Sequence, residues 1–209
     1  MPTYSGTVLV QATVFASAAR AFDDLVGRLP DDRWESPGLG VWDLRSLVGH
    51  ASRSLITVST YLLEPAESAT VGSAADYYVA AKAIATADPE AVVERGRQAG
   101  LALGDAPREA VHELVDRVVQ QVVASPDCLI ETIAGGMWLR DYLPTRTFEL
   151  VVHSQDIAGA AAMDLHLPLD VLRSSAVLAA EIAVALGDGP DVLAALTGRV
   201  ELPPGFSVV

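Results

Sequence analysis

Residues 144–158 read Pro144-Thr-Arg-Thr-Phe-Glu-Leu-Val-Val-His-Ser-Gln-Asp-Ile-Ala158, a segment that combines apolar residues with four ionisable side chains. At about 100° per residue of an α-helix, the ionisable residues fall within an arc of about 80° that borders the apolar face. An ionised carboxylate placed there without a partner would cost several kcal/mol. The segment therefore predicts a helix that carries a polar cluster into the core, formed by Arg146, Glu149, His153 and Asp156.

Two of these residues have the spacing of a metal-binding pair. Glu149 and His153 are four positions apart, so their side chains lie one helical turn apart on one face. Two protein ligands rarely hold zinc, and a third is expected from another helix. His50 is the best candidate because the segment Leu47-Val48-Gly49-His50-Ala51 is apolar and has small residues beside the histidine. We predict that His50, Glu149 and His153 bind one divalent metal ion with a coordination position left open.

The neighbouring polar residues are assigned supporting roles. Asp156 lies one turn beyond His153 and is expected to hold its imidazole in one tautomer. Arg53 and Arg146 are expected to lie near the metal and to hold a carboxylate of a substrate or cosubstrate. A simpler interpretation stays open. In it, Arg146 pairs with Glu149 and His153 pairs with Asp156 on a solvated face. His50 is then a core histidine, and Arg53 is an exposed arginine.

Apolar periodicity and capping signals predict helices along most of the chain. Pro126 and the Gly135-Gly136 pair predict an extended or β insertion near residues 126–141, and Pro144 is expected to open the next helix. The prediction is an all-α domain over residues 1–198, followed by an extended tail, 199–209, that packs on the bundle. The predicted helices cover residues 7–29, 43–63, 74–86, 89–103, 107–124, 144–162, 168–187 and 190–198.

Composition excludes several classes of partner. The net charge of −13 opposes nucleic acid and anionic membrane surfaces. No apolar run is long enough to span a bilayer, and residues 7–18 are expected to form an amphipathic helix and not a signal peptide. The single cysteine, Cys128, excludes an intrachain disulfide and is expected to be a small buried hydrophobe. We therefore expect a cytoplasmic protein, for which a homodimer is compatible with the alanine-rich helices.

Four other residues are expected to be structural. His112 lies among acidic residues and His166 lies in a proline-flanked turn, so both are predicted at the surface. Trp34 and Trp42 are expected to pack the 33–41 loop onto the bundle, with a place at the mouth of a pocket as the alternative. Asp43 is expected to cap the second helix.

Two segments resemble a known family. The first is Leu29-Pro-Asp-Asp-Arg-Trp34, continued by Val41-Trp-Asp-Leu-Arg-Ser-Leu-Val-Gly-His50, and the second is Gly136-Met-Trp-Leu-Arg-Asp-Tyr-Leu-Pro-Thr-Arg146 with the helix that follows. Together with Leu196-Thr-Gly-Arg199, they are similar to mycothiol-dependent maleylpyruvate isomerase-like proteins of the DinB-like superfamily.

This resemblance implies a four-helix bundle with one divalent metal, usually taken as zinc, with Ni²⁺ and Fe²⁺ as the other candidates. The family's ligand positions fall on His50, Glu149 and His153. It also implies mycothiol as a cosubstrate, whose sulfur the metal would stabilise as a thiolate. The isomerase proper has a further C-terminal domain, which is not expected here, so maleylpyruvate isomerisation itself is not expected.

Three hypotheses follow for function. The first is an enzyme that activates a low-molecular-weight thiol, mycothiol, for transfer to, or isomerisation of, a small electrophilic substrate. The second is a metal-dependent hydrolase that uses a metal-bound water. The third is a non-enzymatic binding or dimerisation module whose metal is structural, with Asp156 as the expected fourth ligand.

Overall fold

The computed structural model describes the backbone of residues 4–209 and the side chains of residues 10–84 and 86–209. Within these residues the regular secondary structure is helical apart from one short hairpin, and no helix has the length and apolarity needed to cross a bilayer. The elements are α1 (Tyr4–Gly27), α2 (Leu44–Tyr61), α3 (Ala74–Ala87), α4 (Pro89–Ala102), α5 (Pro107–Ala124), β1 (Leu129–Thr132), β2 (Gly135–Trp138), α6 (Leu139–Ala161), α7 (Leu169–Leu186) and α8 (Gly189–Leu196).

Four long helices form the predicted bundle. Helices α1 and α2 each pack against both α5 and α6, and the apolar faces of all four meet in one core. Fully buried side chains such as Phe15, Leu47, Val115 and Leu150 come from each of the four helices in turn. The remaining helices lie outside: α4 packs on α2, α7 on α6, and α8 on α7. The all-α prediction is confirmed.

Capping residues begin the helices where the sequence predicts them. The Asp43 side chain accepts a hydrogen bond from the Ser46 backbone N–H at 2.7 Å, and Asp88 caps α4 in the same way. Trp34 is buried, and it anchors the loop before α2 to the core as expected. These contacts fix the entry into α2 about two turns before His50.

One predicted helix start is wrong. Residues 129–138 form the expected hairpin, but α6 begins at Leu139 and Pro144 lies inside it. Proline lacks the N–H that would bond to the Arg140 carbonyl group, which costs the helix one hydrogen bond. The preceding turn is helical nevertheless because Leu139, Tyr142 and Leu143 are fully buried in the core.

A second difference concerns α1. Val10, Phe15 and Phe22 recur at helical spacing in the sequence, which predicts one apolar face, but Val10 is 59 % exposed whereas Phe15 and Phe22 are fully buried. At about 100° per residue, position 10 lies about 140° from position 15 and about 120° from position 22, so its side chain points away from the side that carries the two phenylalanines. In the tail, Val208 packs against the core, while the boundary between residues 198 and 199 remains a prediction.

Helix α4 approaches α2 very closely because glycines form the crossing. A Cβ atom built on Gly49 would lie 2.1 Å from the backbone nitrogen of Gly100, and one built on Gly100 would lie 2.8 Å from the Arg45 carbonyl oxygen. Neither contact can be relieved by rotating a side chain, since both neighbours are backbone atoms. The crossing places α4 beside His50.

We expect Gly49→Ala to lower the free energy of unfolding by about 3 kcal/mol, because the added methyl group must push the two helix backbones apart. Urea denaturation followed by circular dichroism measures this change. Gly159→Ala is the matched control: a Cβ at this exposed helical glycine meets nothing within 4 Å. That substitution should be neutral or stabilising by up to about 1 kcal/mol. Equal effects of the two substitutions would contradict the tight crossing.

Candidate metal centre

Packing of α2 against α6 brings together the three predicted ligand residues. His50, Glu149 and His153 each offer one ligand atom, and these atoms lie within 4.8 Å of one another. The His153 Nε2 atom is 3.3 Å from Glu149 Oε2, and the two imidazole rings have centroids 4.8 Å apart. In the part of the chain that the structure describes, this is the one group of three such residues with ligand atoms so close.

His50 is held as a neutral, unpartnered imidazole. Its ring lies 4.4 Å from the Trp42 ring, and Trp42 is fixed in turn because its indole N–H donates to the Val93 carbonyl group at 2.9 Å. The His50 Nδ1 atom is buried and has no hydrogen-bond partner. Burial and then the charge of His153 lower the pKa of His50 to about 4. A neutral imidazole with an unused nitrogen is the form that binds a metal ion.

Glu149 and His153 form a charged pair. Burial alone would raise the pKa of Glu149, but the hydrogen bond from His153 and the charge of Arg146 outweigh it and lower that pKa to about 2. Burial alone would lower the pKa of His153, but its hydrogen bonds to Asp156 and Glu149 raise it to about 9. The carboxylate is thus ionised at neutral pH, and a proton on His153 occupies the place that a cation would take.

Asp156 lies on the opposite side of the His153 ring from Glu149. Its Oδ2 atom is 3.1 Å from Nδ1 of His153, which leaves Nε2 to face Glu149 and His50. This is the position expected of a carboxylate that fixes the tautomer of the ring. Asp156 does not join the group of three ligand atoms.

Tyr78 is a site residue that the sequence argument missed. Its buried hydroxyl group lies 2.7 Å from Glu149 Oε1 and 3.0 Å from the Thr145 carbonyl oxygen. A phenol has one proton, and the shorter contact to the carboxylate is the stronger place for it. Glu149 is therefore held at Oε1 while Oε2 faces His153. The adjacent pair Tyr77-Tyr78 in an alanine-rich helix of a chain with few aromatics was the available signal.

Arg146 is buried, whereas the simpler interpretation placed it in an ion pair with Glu149 on a solvated face. Its guanidinium group lies over the rings of Tyr77 and Tyr142, with its carbon 5.2 and 5.1 Å from their centroids, and its Nε atom donates to Thr145 Oγ1. The charges of Arg146 and Glu149 interact, but the two side chains do not form a direct ion pair within 4.0 Å. The Arg146–Glu149 pair on a solvated face is therefore wrong.

The three candidate ligands open onto a cavity of about 580 Å³. Arg53 and Arg146 line it, as expected, and so do Arg95 of α4 and Val209 of the tail. Since the cavity adjoins the ligand atoms, a small molecule bound in it would lie beside an ion at this site.

Other sequence candidates lie away from this cavity. His112 is exposed and contacts Asp23, and His166 is exposed, both as predicted. Cys128 is partly buried, and burial followed by the charge of Asp127 raises the pKa of its thiol group. A thiol group held protonated is a poor nucleophile, which agrees with the structural role expected for this cysteine.

We expect the His153 ring in metal-free protein to titrate near pH 9, because its charged form is hydrogen-bonded on both sides. An NMR titration of the ring protons would measure this pKa. The charged form stabilises the fold fully below pH 6.5, and this contribution is lost as the pH rises through about 9. The loss should be on the order of 3 kcal/mol. Asp156→Asn should lower the pKa and reduce the loss; an unchanged pKa in that variant would contradict the contact.

The comparisons with known proteins agree with the geometry. A family model described as the mycothiol maleylpyruvate isomerase N-terminal domain matches residues 15–158, more than half of the chain, and this range includes all three candidate ligands. A search of curated proteins and a search of solved structures each gave no match. The chain belongs to the mycothiol maleylpyruvate isomerase N-terminal domain family.

Proposed function

We propose that this protein is an enzyme that holds one divalent metal ion on His50, Glu149 and His153 and uses it to activate a low-molecular-weight thiol, mycothiol. The thiol is transferred to a small electrophilic substrate or catalyses its isomerisation. The observation that carries the proposal is the convergence of three ligand atoms within 4.8 Å beside a cavity, in a chain of this family.

The residues fit such an ion. The buried Nδ1 atom of His50 has no hydrogen-bond partner, and Glu149 is an ionised carboxylate at neutral pH, so the site offers a free nitrogen atom and a negative charge to a cation. Two histidines and one glutamate are a ligand set of catalytic zinc sites, which keep a position open for water or substrate. We therefore propose Zn²⁺ as the ion.

The chemistry that the ion supplies when bound is a lower thiol pKa, so that the sulfur is a thiolate at neutral pH. The chain's own residues prepare the ligands for this ion. Tyr78 orients Glu149, Asp156 holds the tautomer of His153, and Trp42 fixes the His50 ring. In an addition reaction the sulfur forms a bond to the electrophilic carbon, and the proton removed from the thiol is returned to the adduct.

The position of Asp156 favours the enzymatic hypothesis over a purely structural metal. Because its carboxylate contacts Nδ1 of His153, it is not placed as a fourth ligand beside Nε2. A structural site would need such a fourth ligand.

A cytoplasmic location is part of this proposal, since a thiol cosubstrate requires a reducing compartment.

We expect protein reconstituted with zinc and then desalted to retain about one ion per chain, as measured by plasma mass spectrometry. His153→Ala should abolish this retention because it removes one of three ligands. His112→Ala is the matched control, since His112 is an exposed histidine away from the site, and it should retain the ion. Equal metal content in the two variants would refute the assignment of His153.

We expect mycothiol to stabilise only the zinc-loaded protein. At a thiol concentration about 100-fold above Kd, linkage gives about 2.7 kcal/mol, which corresponds to a rise in Tm of roughly 5 to 10 °C for a chain of this size. Mycothiol with its sulfur methylated is the control and should give a much smaller shift, because a thioether cannot form a thiolate. Equal stabilisation by both compounds, or of the metal-free protein, would favour the hydrolase over thiol activation.

A further inference from the structure

The cavity beside the candidate metal centre contains more positive than negative side chains, although the chain has a net charge of −13. Three guanidinium groups line it, those of Arg53, Arg95 and Arg146, against the two carboxylates of Glu149 and Asp156. Both carboxylates form ion pairs with His153. The charge of Arg146 also interacts with that of Glu149, whereas Arg53 and Arg95 form no ion pair with either carboxylate.

The two outer arginines, Arg53 on α2 and Arg95 on α4, are close enough to repel one another. Burial lowers the pKa of Arg53, and the positive charge of Arg95 lowers it further. Within the described residues neither guanidinium group forms an ion pair with a carboxylate, whereas Arg97, two residues along α4, pairs with Glu94 at 3.2 Å. Arg146 adds a third cation that is only 9 % exposed and faces the same cavity. Cations clustered in this way are stabilised when they share an anion.

A second, apolar chamber of about 510 Å³ opens between α3 and α4 beside Glu149. Ala81, Pro89, Val92 and Val209 form much of its wall, and Lys82 and Thr86 lie on its α3 side. Tyr78, Ala81, Val92, Glu149 and Val209 line both this chamber and the arginine-lined cavity, so the two spaces adjoin at the candidate metal centre.

We propose that the electrophilic substrate is a small amphiphilic carboxylate. Its carboxylate group is bound by Arg53, Arg95 and Arg146, and its hydrocarbon part occupies the chamber between α3 and α4. This orientation leaves the middle of the molecule beside Glu149 and its neighbours. The inference rests on the proposed function only in that it calls the substrate electrophilic. Binding of the carboxylate to the arginines does not need a metal.

The test uses unreactive probes and metal-free protein. Calorimetry at pH 7.5 compares the sodium salts of acetic, butanoic, hexanoic and octanoic acids, with octanamide as the uncharged control. We expect Kd to fall by up to about fourfold for each added methylene until the chamber is filled. Octanamide should bind about tenfold more weakly than octanoate because it lacks the charge-assisted hydrogen bonds. Equal affinity for octanoate and octanamide, or no dependence on chain length, would overturn the proposal.

Substitutions locate the two parts of the site. The double substitution Arg53→Gln with Arg95→Gln should weaken octanoate binding about tenfold or more and leave octanamide unchanged. Arg97→Gln, on the same helix but already paired with Glu94, should change neither. Thr86→Phe should reduce the gain from longer chains while leaving butanoate unchanged, because it fills the chamber from its α3 side. A loss of octanoate affinity in Arg97→Gln as large as in the double variant would refute a specific arginine site.

A last measurement tests whether the carboxylate site belongs to the electrophile and not to the thiol. In zinc-loaded protein saturated with mycothiol, octanoate should bind with a Kd within about twofold of its value without the thiol, since separate subsites give no competition. Mutually exclusive binding would overturn the assignment. If the protein proves unable to hold zinc, the metal-free measurements still decide whether the carboxylate site exists, so the two proposals fail independently.

Discussion

The structure around the candidate metal centre depends on how the negative charge of one largely buried carboxylate, that of Glu149, is compensated. Glu149 lies on α6, the helix that packs against both α1 and α2, and its side chain is only 22 % exposed. An ionised carboxylate in such a position needs positive charge and hydrogen-bond donors close by. His153, Tyr78 and the charge of Arg146 supply them in the metal-free protein. The same set of contacts holds the carboxylate in place for an ion, so stability and the proposed function depend on the same interactions.

Aromatic side chains form the scaffold around this charge. Trp42 stacks on His50, Tyr78 donates to Glu149, and the rings of Tyr77 and Tyr142 cover the guanidinium group of Arg146. Aromatic residues make up only 6 % of the chain, yet several of them meet at this one place. Large, rigid rings with a polar edge suit this task because they exclude water and still bind a charged neighbour. Most of the rest of the core is built from smaller aliphatic residues, together with Phe15, Phe22 and Trp34.

The glycine crossing between α2 and α4 connects the fold to the shape of the cavity. Because Gly49 and Gly100 allow the backbones to touch, α4 lies close enough to place Arg95 and Val92 on the cavity wall. Helix α3 supplies the opposite wall through Tyr78 and Ala81. The cavity wall thus combines Arg53 and Arg146 of the four-helix bundle with Arg95, Val92 and Ala81 of helices that lie outside it.

Local information in the sequence was sufficient for much of the fold. Helix positions, the Asp43 cap and the hairpin follow from periodicity and capping, because these depend on residues within one or two turns of each other. The start of α6 did not follow, since burial of Leu139, Tyr142 and Leu143 outweighs the local signal of Pro144. Similarly, the spacing of Glu149 and His153 is local, and it indicates a metal-binding pair on one helix face.

The side chains around that pair follow from tertiary packing and not from local spacing. The proximity of His50 to His153 was a hypothesis, based on the apolar segment around His50 and on the family resemblance. Packing of α2 on α6 brings the centroids of the two rings to 4.8 Å. Tyr78, Arg95 and the apolar chamber come from helices distant along the chain, and no spacing in the sequence relates them to Glu149. The amino-acid sequence alone is enough to assign the buried charge to one helix, because a helix face is set by local geometry. Which side chains meet that charge was decided by the packing of separate helices, because such contacts depend on the whole core.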